Sequence, residues 1–140
     1  PDDRGILLKS ILEVDDEVLK KYRVKRTPSR EKMWGTYDVN GNCVVKGKCK
    51  NITNEEKSSY LTTKMDRWNN AGLIAYEDFC RFLTPTECER LQTVREGYTA
   101  KMRTDKGIVD TKDAQRYDLL GDGWTVEVIK HIFSFMKFGE

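Results

Sequence analysis

Apolar positions follow helical spacing at both ends of the chain and a strand-like alternation between them. Near the N-terminus, three apolar residues fall on one helical face: Leu8, Ile11 and Leu12. The acids Asp15-Asp16-Glu17 lie where a second short helix is expected to begin, because acidic side chains are favoured at a helix N-terminus. The segment Arg26-Thr27-Pro28-Ser29 ends this helical lead-in.

The middle of the chain has the pattern of β-strands. This pattern extends from Trp34 to Leu61. Within it, Asn40-Gly41 is a tight-turn signal with strand-like residues on both sides. Residues Thr62 to Gly72 are polar and irregular, which predicts a loop. Leu73 to Phe79 returns to an extended, partly apolar run.

Helical signals return in the last third. Thr84-Pro85-Thr86-Glu87 predicts a capping box with proline at the first helical position, and a helix to about Thr93. A second helix is predicted from Asp110 to Leu120, closed by Gly121. Thr125 is expected to cap a final helix. Its apolar positions are Val128, Ile129, Ile132, Phe133 and Met136.

These patterns predict an α+β fold in three regions. Residues 1–33 form a helical lead-in, residues 34–79 a small β-rich region, and residues 80–140 a helical C-terminal region. The length of 140 residues suits one compact domain, and 38% hydrophobic with 34% charged residues is typical of a globular protein. No apolar run approaches the roughly 18 residues of a membrane span. Because the chain begins at Pro1, we expect a processed or shortened protein.

The net charge of +2 conceals a basic segment. Between Lys20 and Lys50 there are ten basic and two acidic residues, so this stretch carries +8 and the rest of the chain −6. Aromatic residues are interleaved with it: Tyr22, Trp34 and Tyr37. Such a segment is equally compatible with a nucleic-acid surface and with a solvated face.

The cysteines argue against a metal site. Cys43, Cys49, Cys80 and Cys88 form no C-x-x-C pair, and His131 is the single histidine. We therefore expect no metal, and reduced thiols in a cytoplasmic protein.

Two C-terminal segments have a specific pattern. The first is Arg81-Phe82-Leu83-Thr84-Pro85-Thr86-Glu87-Cys88-Glu89-Arg90-Leu91-Gln92, and the second is Gln115-Arg116-Tyr117-Asp118-Leu119-Leu120-Gly121-Asp122-Gly123. In this order they resemble the ninth and tenth conserved motifs of DNA cytosine-5 methyltransferases, R-x-L-T-P-x-E-x-x-R-L-Q and Q-x-Y-x-x-x-G-N-x. The ending Trp124 to Phe133 also resembles that of the vertebrate de novo enzymes.

The resemblance implies a target-recognition region followed by helices that join a Rossmann-like catalytic domain. Leu61-Thr62-Thr63-Lys64 resembles the family's recognition segment, so the resemblance implies that the loop carrying Thr62, Thr63, Lys64 and Arg67 faces DNA. Asp122 and Gly123 would lie beside S-adenosylmethionine in the full enzyme. The basic stretch adds three candidate DNA contacts: Lys46, Lys48 and Lys50. Three basic residues are equally compatible with phosphate contacts and with solvated charges: Lys64, Arg67 and Arg81.

Catalytic residues of the family are not found in this sequence. The nucleophilic Pro-Cys dipeptide is missing, since the cysteines follow Asn42, Lys48, Phe79 and Glu87, and no Glu-Asn dipeptide occurs. Gly121-x-Gly123 does not follow the apolar strand that a cofactor-binding loop requires. We expect no catalytic residue here and no cofactor bound to this chain alone.

The sequence thus predicts the DNA-reading part of an S-adenosylmethionine-dependent DNA cytosine-5 methyltransferase, inactive without its catalytic part. Three departures from the family pattern favour an alternative: Tyr60 for threonine, Thr93-Val94-Arg95-Glu96 for Gly-x-Pro-Asp, and Asp122 for asparagine. That alternative is a stand-alone, non-catalytic DNA-binding or regulatory protein. A separate subunit of a split methyltransferase is intermediate between this alternative and the part of a full enzyme.

Expected partners are double-stranded DNA, the catalytic part, and a second copy through the C-terminal helix, with no membrane. The expected location is the cytoplasm of a bacterial or phage-type host cell.

Overall fold

A computed structural model describes residues 5–25, 51–58, 60–67, 72–76 and 79–136 of the chain. The described part has one 3₁₀ turn at Leu8–Ser10, helices α1 (Asp16–Lys21), α2 (Pro85–Leu91), α3 (Asp113–Asp122) and α4 (Val126–Ser134), and strands β1 (Ile74–Ala75), β2 (Cys80–Arg81), β3 (Lys101–Thr104) and β4 (Gly107–Asp110). The fold is therefore mixed, with small two-stranded sheets and C-terminal helices, as the α+β prediction requires. The hairpin predicted around Asn40-Gly41 lies outside the described residues.

Side-chain caps fix where α1 and α2 begin. The Asp15 carboxylate accepts a hydrogen bond from the Glu17 amide at 2.9 Å and starts α1. The capping box of α2 is confirmed, because the Glu87 amide donates to Thr84 Oγ1 at 3.1 Å and the Thr84 amide to Glu87 Oε2 at 2.8 Å. Helix α2 ends at Leu91, since Thr93 has a left-handed φ of 57° that a helix does not accommodate.

The sheet β1–β2 joins distant parts of the chain. Its antiparallel register pairs Ile74 with Arg81 and Ala75 with Cys80. Arg23 forms a further bridge with Arg81. The sheet therefore crosses the predicted boundary between residues 79 and 80, because the second strand of a hairpin must pair with the first.

The strands β3 and β4 form a hairpin inside the region that was predicted to be helical. Lys101 pairs with Asp110, and the register continues to Thr104 and Gly107. Gly107 has a φ of 109°, a conformation that favours glycine at the turn. Because Asp110 is still held in the ladder, α3 begins at Asp113 rather than at the predicted Asp110.

The main cluster of buried side chains draws on segments from the N-terminal lead-in to α3. Its members are Leu8, Ile52, Met65, Ile74, Leu83, Cys88, Tyr117 and Leu120. Ile11 and Leu12 pack against it, so the apolar face predicted for the lead-in does meet the core. A smaller cluster of Val24, Leu73 and Cys80 fills the other side of the β1–β2 sheet.

The last helix stands apart from this core. None of the residues of α4 is buried, although its apolar positions follow the spacing of a helical face. The exposed apolar side chains at this end are Trp124, Val128, Ile132, Phe133, Phe135 and Met136. Within the described ranges, no helix combines the length and the apolar character needed to cross a membrane.

Candidate nucleic-acid interface

The loop that was predicted to face DNA is a compact turn anchored by a buried methionine. The Thr62 amide lies 3.3 Å from the Met65 sulfur, and the Arg67 amide donates to the Lys64 carbonyl at 3.0 Å. Met65 belongs to the main core cluster. Thr62, Thr63 and Lys64 are half-buried above it, whereas Arg67 is exposed. The turn therefore has a fixed base and one exposed cation, Arg67.

The same turn rests directly on the helix of the second motif. A Cβ atom added at Gly121 would lie 2.1 Å from the Thr63 backbone nitrogen and 2.2 Å from the Thr62 carbonyl carbon. Such distances are sterically forbidden, so only glycine permits this approach. Gly121 was predicted to end the helix, but it lies within α3, and Gly123 is the C-cap.

An ion pair adds a second contact between the turn and α3. Lys64 Nζ lies 2.7 Å from Asp118 Oδ1, with both side chains a little under half exposed. Asp118 and Gly121 are three residues apart and therefore share one face of the helix. Lys64 is thus brought to the predicted surface with its charge compensated by Asp118. Arg67 has no such neighbour within salt-bridge distance among the described residues.

The first motif builds a buried polar network around Arg81 and Glu87. Arg81 Nη1 and Nη2 donate to the two oxygens of Glu87 at 2.8 Å each, and both side chains are fully buried. The Glu13 amide donates to Glu87 Oε1 at 2.7 Å, and the Thr84 hydroxyl contacts the Glu13 carboxylate. Burial opposes the charge of Arg81, but the Glu87 carboxylate outweighs it and raises the pKa of the guanidinium.

This network corrects one prediction. Arg81 was weighed as a phosphate contact or a solvated charge, and it is neither, since its guanidinium is inaccessible and already paired. Its role in the fold is to tie β2 and the start of α2 to the lead-in segment.

A glutamine from the first motif holds the second motif in place. Gln92 Nε2 donates to the Leu120 carbonyl at 2.6 Å and to the Gly123 carbonyl at 3.0 Å. The Thr125 hydroxyl donates to Gln92 Oε1 at 3.1 Å. Thr125 is the N-cap residue of α4 as predicted, but its hydroxyl is used for this contact rather than for a cap.

Tyr117 makes a further link between the two motifs. Its hydroxyl donates to the Leu83 carbonyl at 2.7 Å, and the ring is buried against Cys88 in the core. Burial raises the pKa of the Tyr117 phenol and of the Cys88 thiol, so both stay neutral. A neutral, buried thiol is not a nucleophile.

The β3–β4 hairpin is attached to the network through Glu89. This buried carboxylate accepts hydrogen bonds from the Gly97 amide at 2.7 Å and from the Thr99 amide at 2.8 Å. Arg116 Nη2 lies 3.1 Å from the same carboxylate. Burial raises the pKa of Glu89, but the hydrogen bonds from Thr99, Gly97 and Arg116 outweigh burial, and the pKa is lowered. Sequence reasoning missed this clamp; the turn Asp105-Lys106-Gly107, followed by the apolar pair Ile108-Val109, was the available signal for the hairpin.

The remaining predicted site residues lie at the end of α3 or outside the described ranges. Asp122 is the last residue of α3 and Gly123 is its C-cap, and both are exposed, so the described residues do not form the strand–loop–helix turn that cradles S-adenosylmethionine. No step of a methyl transfer is assigned to them. Lys46, Lys48 and Lys50 lie outside the described residues. Within the described ranges, no cluster of three or more His, Cys, Asp or Glu residues could hold a metal ion.

No protein-family model matches this chain, and no curated protein matches it significantly.

Proposed function

We propose that this chain is the DNA-contacting, target-recognition part of a DNA cytosine-5 methyltransferase and does not transfer methyl groups by itself. The proposal rests on the resemblance of two segments to family motifs. In the described chain, the residues of these segments are bonded to one another through Gln92 with Leu120, and through Tyr117 with Leu83.

The contact of Thr62 and Thr63 with Gly121 is the observation that carries the proposal. It joins the loop that the resemblance assigns to DNA to the helix that the resemblance assigns to the catalytic side. A recognition loop needs such a rigid support, because base contacts depend on a fixed register against the DNA backbone.

The exposed cation at Arg67 is the part of this surface that is suited to a phosphate. Lys64 contributes less net charge because Asp118 compensates it at 2.7 Å. The basic residues Lys46, Lys48 and Lys50 supply further positive charge along the sequence. Together these residues give the expected pattern of weak, salt-dependent DNA binding.

A binding titration tests this function. Fluorescence anisotropy of a labelled duplex of mixed sequence is measured over a range of salt concentrations with the full chain. Replacing Lys46, Lys48 and Lys50 together with glutamine is expected to reduce the slope of log affinity against log salt by about 2.7, since each phosphate contact contributes about 0.9. Arg67→Gln is expected to reduce it by about 0.9.

The matched control is the triple glutamine variant of Lys101, Lys106 and Lys112, which removes the same charge from exposed positions elsewhere. Equal slopes for the two triple variants would show that the lysines of the basic stretch are solvated and do not contact DNA phosphates. No binding by the parent at low salt would contradict the proposed function.

The second candidate is a separate subunit of a split methyltransferase, favoured by the exposed apolar side of α4. A separately supplied catalytic part should then restore methyl transfer, and Ile132→Glu should abolish the restoration. DNA binding without methyl transfer in any combination would instead support a stand-alone regulatory protein.

A further inference from the structure

The backbone around Arg23 is fixed against the β1–β2 sheet. The Val24 amide donates to the Cys80 carbonyl at 2.9 Å, and the Phe82 amide donates to the Tyr22 carbonyl at 3.1 Å. Arg23 and Arg81 are antiparallel bridge partners, so their side chains leave the same face of the sheet. Arg23 therefore projects from a supported position and not from a free loop.

The side chain of Arg23 lies on a stack of two aromatic rings. Its guanidinium carbon is 3.8 Å from the centroid of the Phe79 ring. Phe79 in turn stacks on Tyr76, with centroids 4.5 Å apart and an interplanar angle of 10°. The Tyr76 hydroxyl accepts a hydrogen bond from Arg81 Nε at 3.2 Å. The stack is thereby connected to the buried Arg81–Glu87 pair.

Among the described residues, two basic neighbours of Arg23 are paired with carboxylates, whereas Arg23 is not. Lys20 is paired with Glu17 at 2.5 Å and Lys21 with Asp113 at 2.6 Å. Arg23 is exposed, and in the described part of the chain no carboxylate lies within salt-bridge distance of it. It also lies within the stretch of +8 that begins at Lys20.

A guanidinium held on an aromatic ring keeps its N–H donors in its own plane, directed away from the ring. This arrangement limits the conformations of the side chain before a phosphate binds, and it suits bidentate contact with that phosphate. We propose that Arg23 is a preorganised phosphate-binding residue that contacts the backbone of duplex DNA, and that Phe79 and Tyr76 are its positioning residues. The proposal rests on the proposed function and extends the interface beyond the Thr62–Arg67 turn.

Duplex binding by the full chain tests the proposal through three variants. Arg23→Gln is expected to weaken binding about tenfold, as for the loss of one hydrogen bond to a charged group, and to reduce the salt slope by about 0.9. Arg23→Lys keeps the charge, so the slope should be retained while the affinity falls. Phe79→Leu also leaves the charge in place, and should lower the affinity with an unchanged slope.

The control is Lys106→Gln, which removes one exposed charge from the β3–β4 turn. Thermal unfolding of each variant shows whether the fold is kept. If Phe79→Leu does not fold, the comparison of Arg23→Gln with Arg23→Lys is sufficient to test the proposal. If Arg23→Gln binds like Lys106→Gln while the parent binds DNA, the inference is overturned and the proposed function remains. If the parent binds no duplex, both are overturned, and a preference for an RNA duplex of the same sequence would overturn the assignment to DNA.

Discussion

The guanidinium of Arg81 and the carboxylate of Glu87 form a fully buried bidentate pair, with both N–O distances at 2.8 Å. Glu87 also accepts hydrogen bonds from the amides of Thr84 and Glu13. The pair therefore joins β2, the first turn of α2 and the N-terminal lead-in at a single carboxylate.

Glu87→Gln should destabilise the chain strongly. The substitution removes the negative charge and leaves Arg81 buried without a counter-charge, a loss that typically amounts to about 3–5 kcal/mol. Urea unfolding followed by circular dichroism measures the change. The control is Glu127→Gln, which removes a carboxylate from an exposed pair with Lys130 and should change stability by less than about 1 kcal/mol. Similar effects of the two variants would refute a structural role for the buried pair.

Gly121→Ala should destabilise the chain, although alanine in a helix interior is normally about 1 kcal/mol better than glycine. The added methyl group would lie 2.1 Å from the Thr63 nitrogen, so the turn must move. We expect a net loss of about 1–3 kcal/mol, as for other overpacked sites, together with weaker DNA binding.

The comparison is Gly123→Ala, where the nearest atom, the Leu119 carbonyl oxygen, is 3.2 Å away and the effect should be smaller. A Gly121→Ala chain that unfolds at higher urea than the parent would show that the turn does not rest on α3.

Glu89→Gln should loosen the β3–β4 hairpin in a pH-dependent way. The pKa of Glu89 is lowered from its ordinary value of 4.5, so the ionised carboxylate stabilises the folded chain above that pH. This contribution is lost as the pH falls through the lowered pKa. The parent should therefore exceed the variant in stability at neutral pH, and the difference should shrink below pH 4.5.

Hydrogen exchange provides a local readout, because the amides of Gly97 and Thr99 donate to Glu89 and should exchange faster in the variant. Glu56→Gln, at an exposed position, is the control. Unaltered exchange at both amides would contradict the clamp.

The apolar side of α4 should mediate self-association of the isolated chain. Ile132 and Phe133 are about half exposed, and burying such a side chain contributes roughly 1.5–3 kcal/mol. Light scattering after size exclusion should detect a dimer that Ile132→Glu abolishes and Lys130→Glu retains. A parent that stays monomeric at every accessible concentration would refute the prediction, and a dimer unaffected by Ile132→Glu would locate the interface elsewhere.

The chain alone should transfer no methyl group to DNA. The sequence has no Pro-Cys dipeptide, and Cys88 is a buried thiol whose pKa is raised by burial. Incubation with tritiated S-adenosylmethionine and duplex DNA should give no incorporation above the blank. Incorporation by the pure chain would contradict the proposal that methyl transfer requires a catalytic part other than these residues.

Local signals were sufficient for the features that depend on neighbouring residues. The capping box at Thr84 and the acidic start of α1 need only a few consecutive positions, and the structure confirms both. The pairing of Arg81 with Glu87 was not recognised. Arginine and glutamate are usually exposed, and the sequence alone does not specify which of them become buried. The close approach at Gly121 depends on a turn nearly sixty residues earlier, and no local pattern records it.

The hairpin shows how a competing interaction displaces a predicted boundary. Asp110 is a plausible helix start by composition, but its pairing with Lys101 extends the ladder and delays α3. The apolar spacing of α4 was recognised correctly as a helical face, whereas what covers that face cannot follow from spacing alone.

The contact between Gly121 and the turn has one further consequence. The atoms nearest to Gly121 are main-chain atoms of Thr62 and Thr63, so this close approach does not require particular side chains at the two positions. Residues at these two positions can therefore be exchanged while the mounting stays the same. Under the proposed function, a change of the two side chains would alter the DNA preference without any change to the helix on which the turn rests.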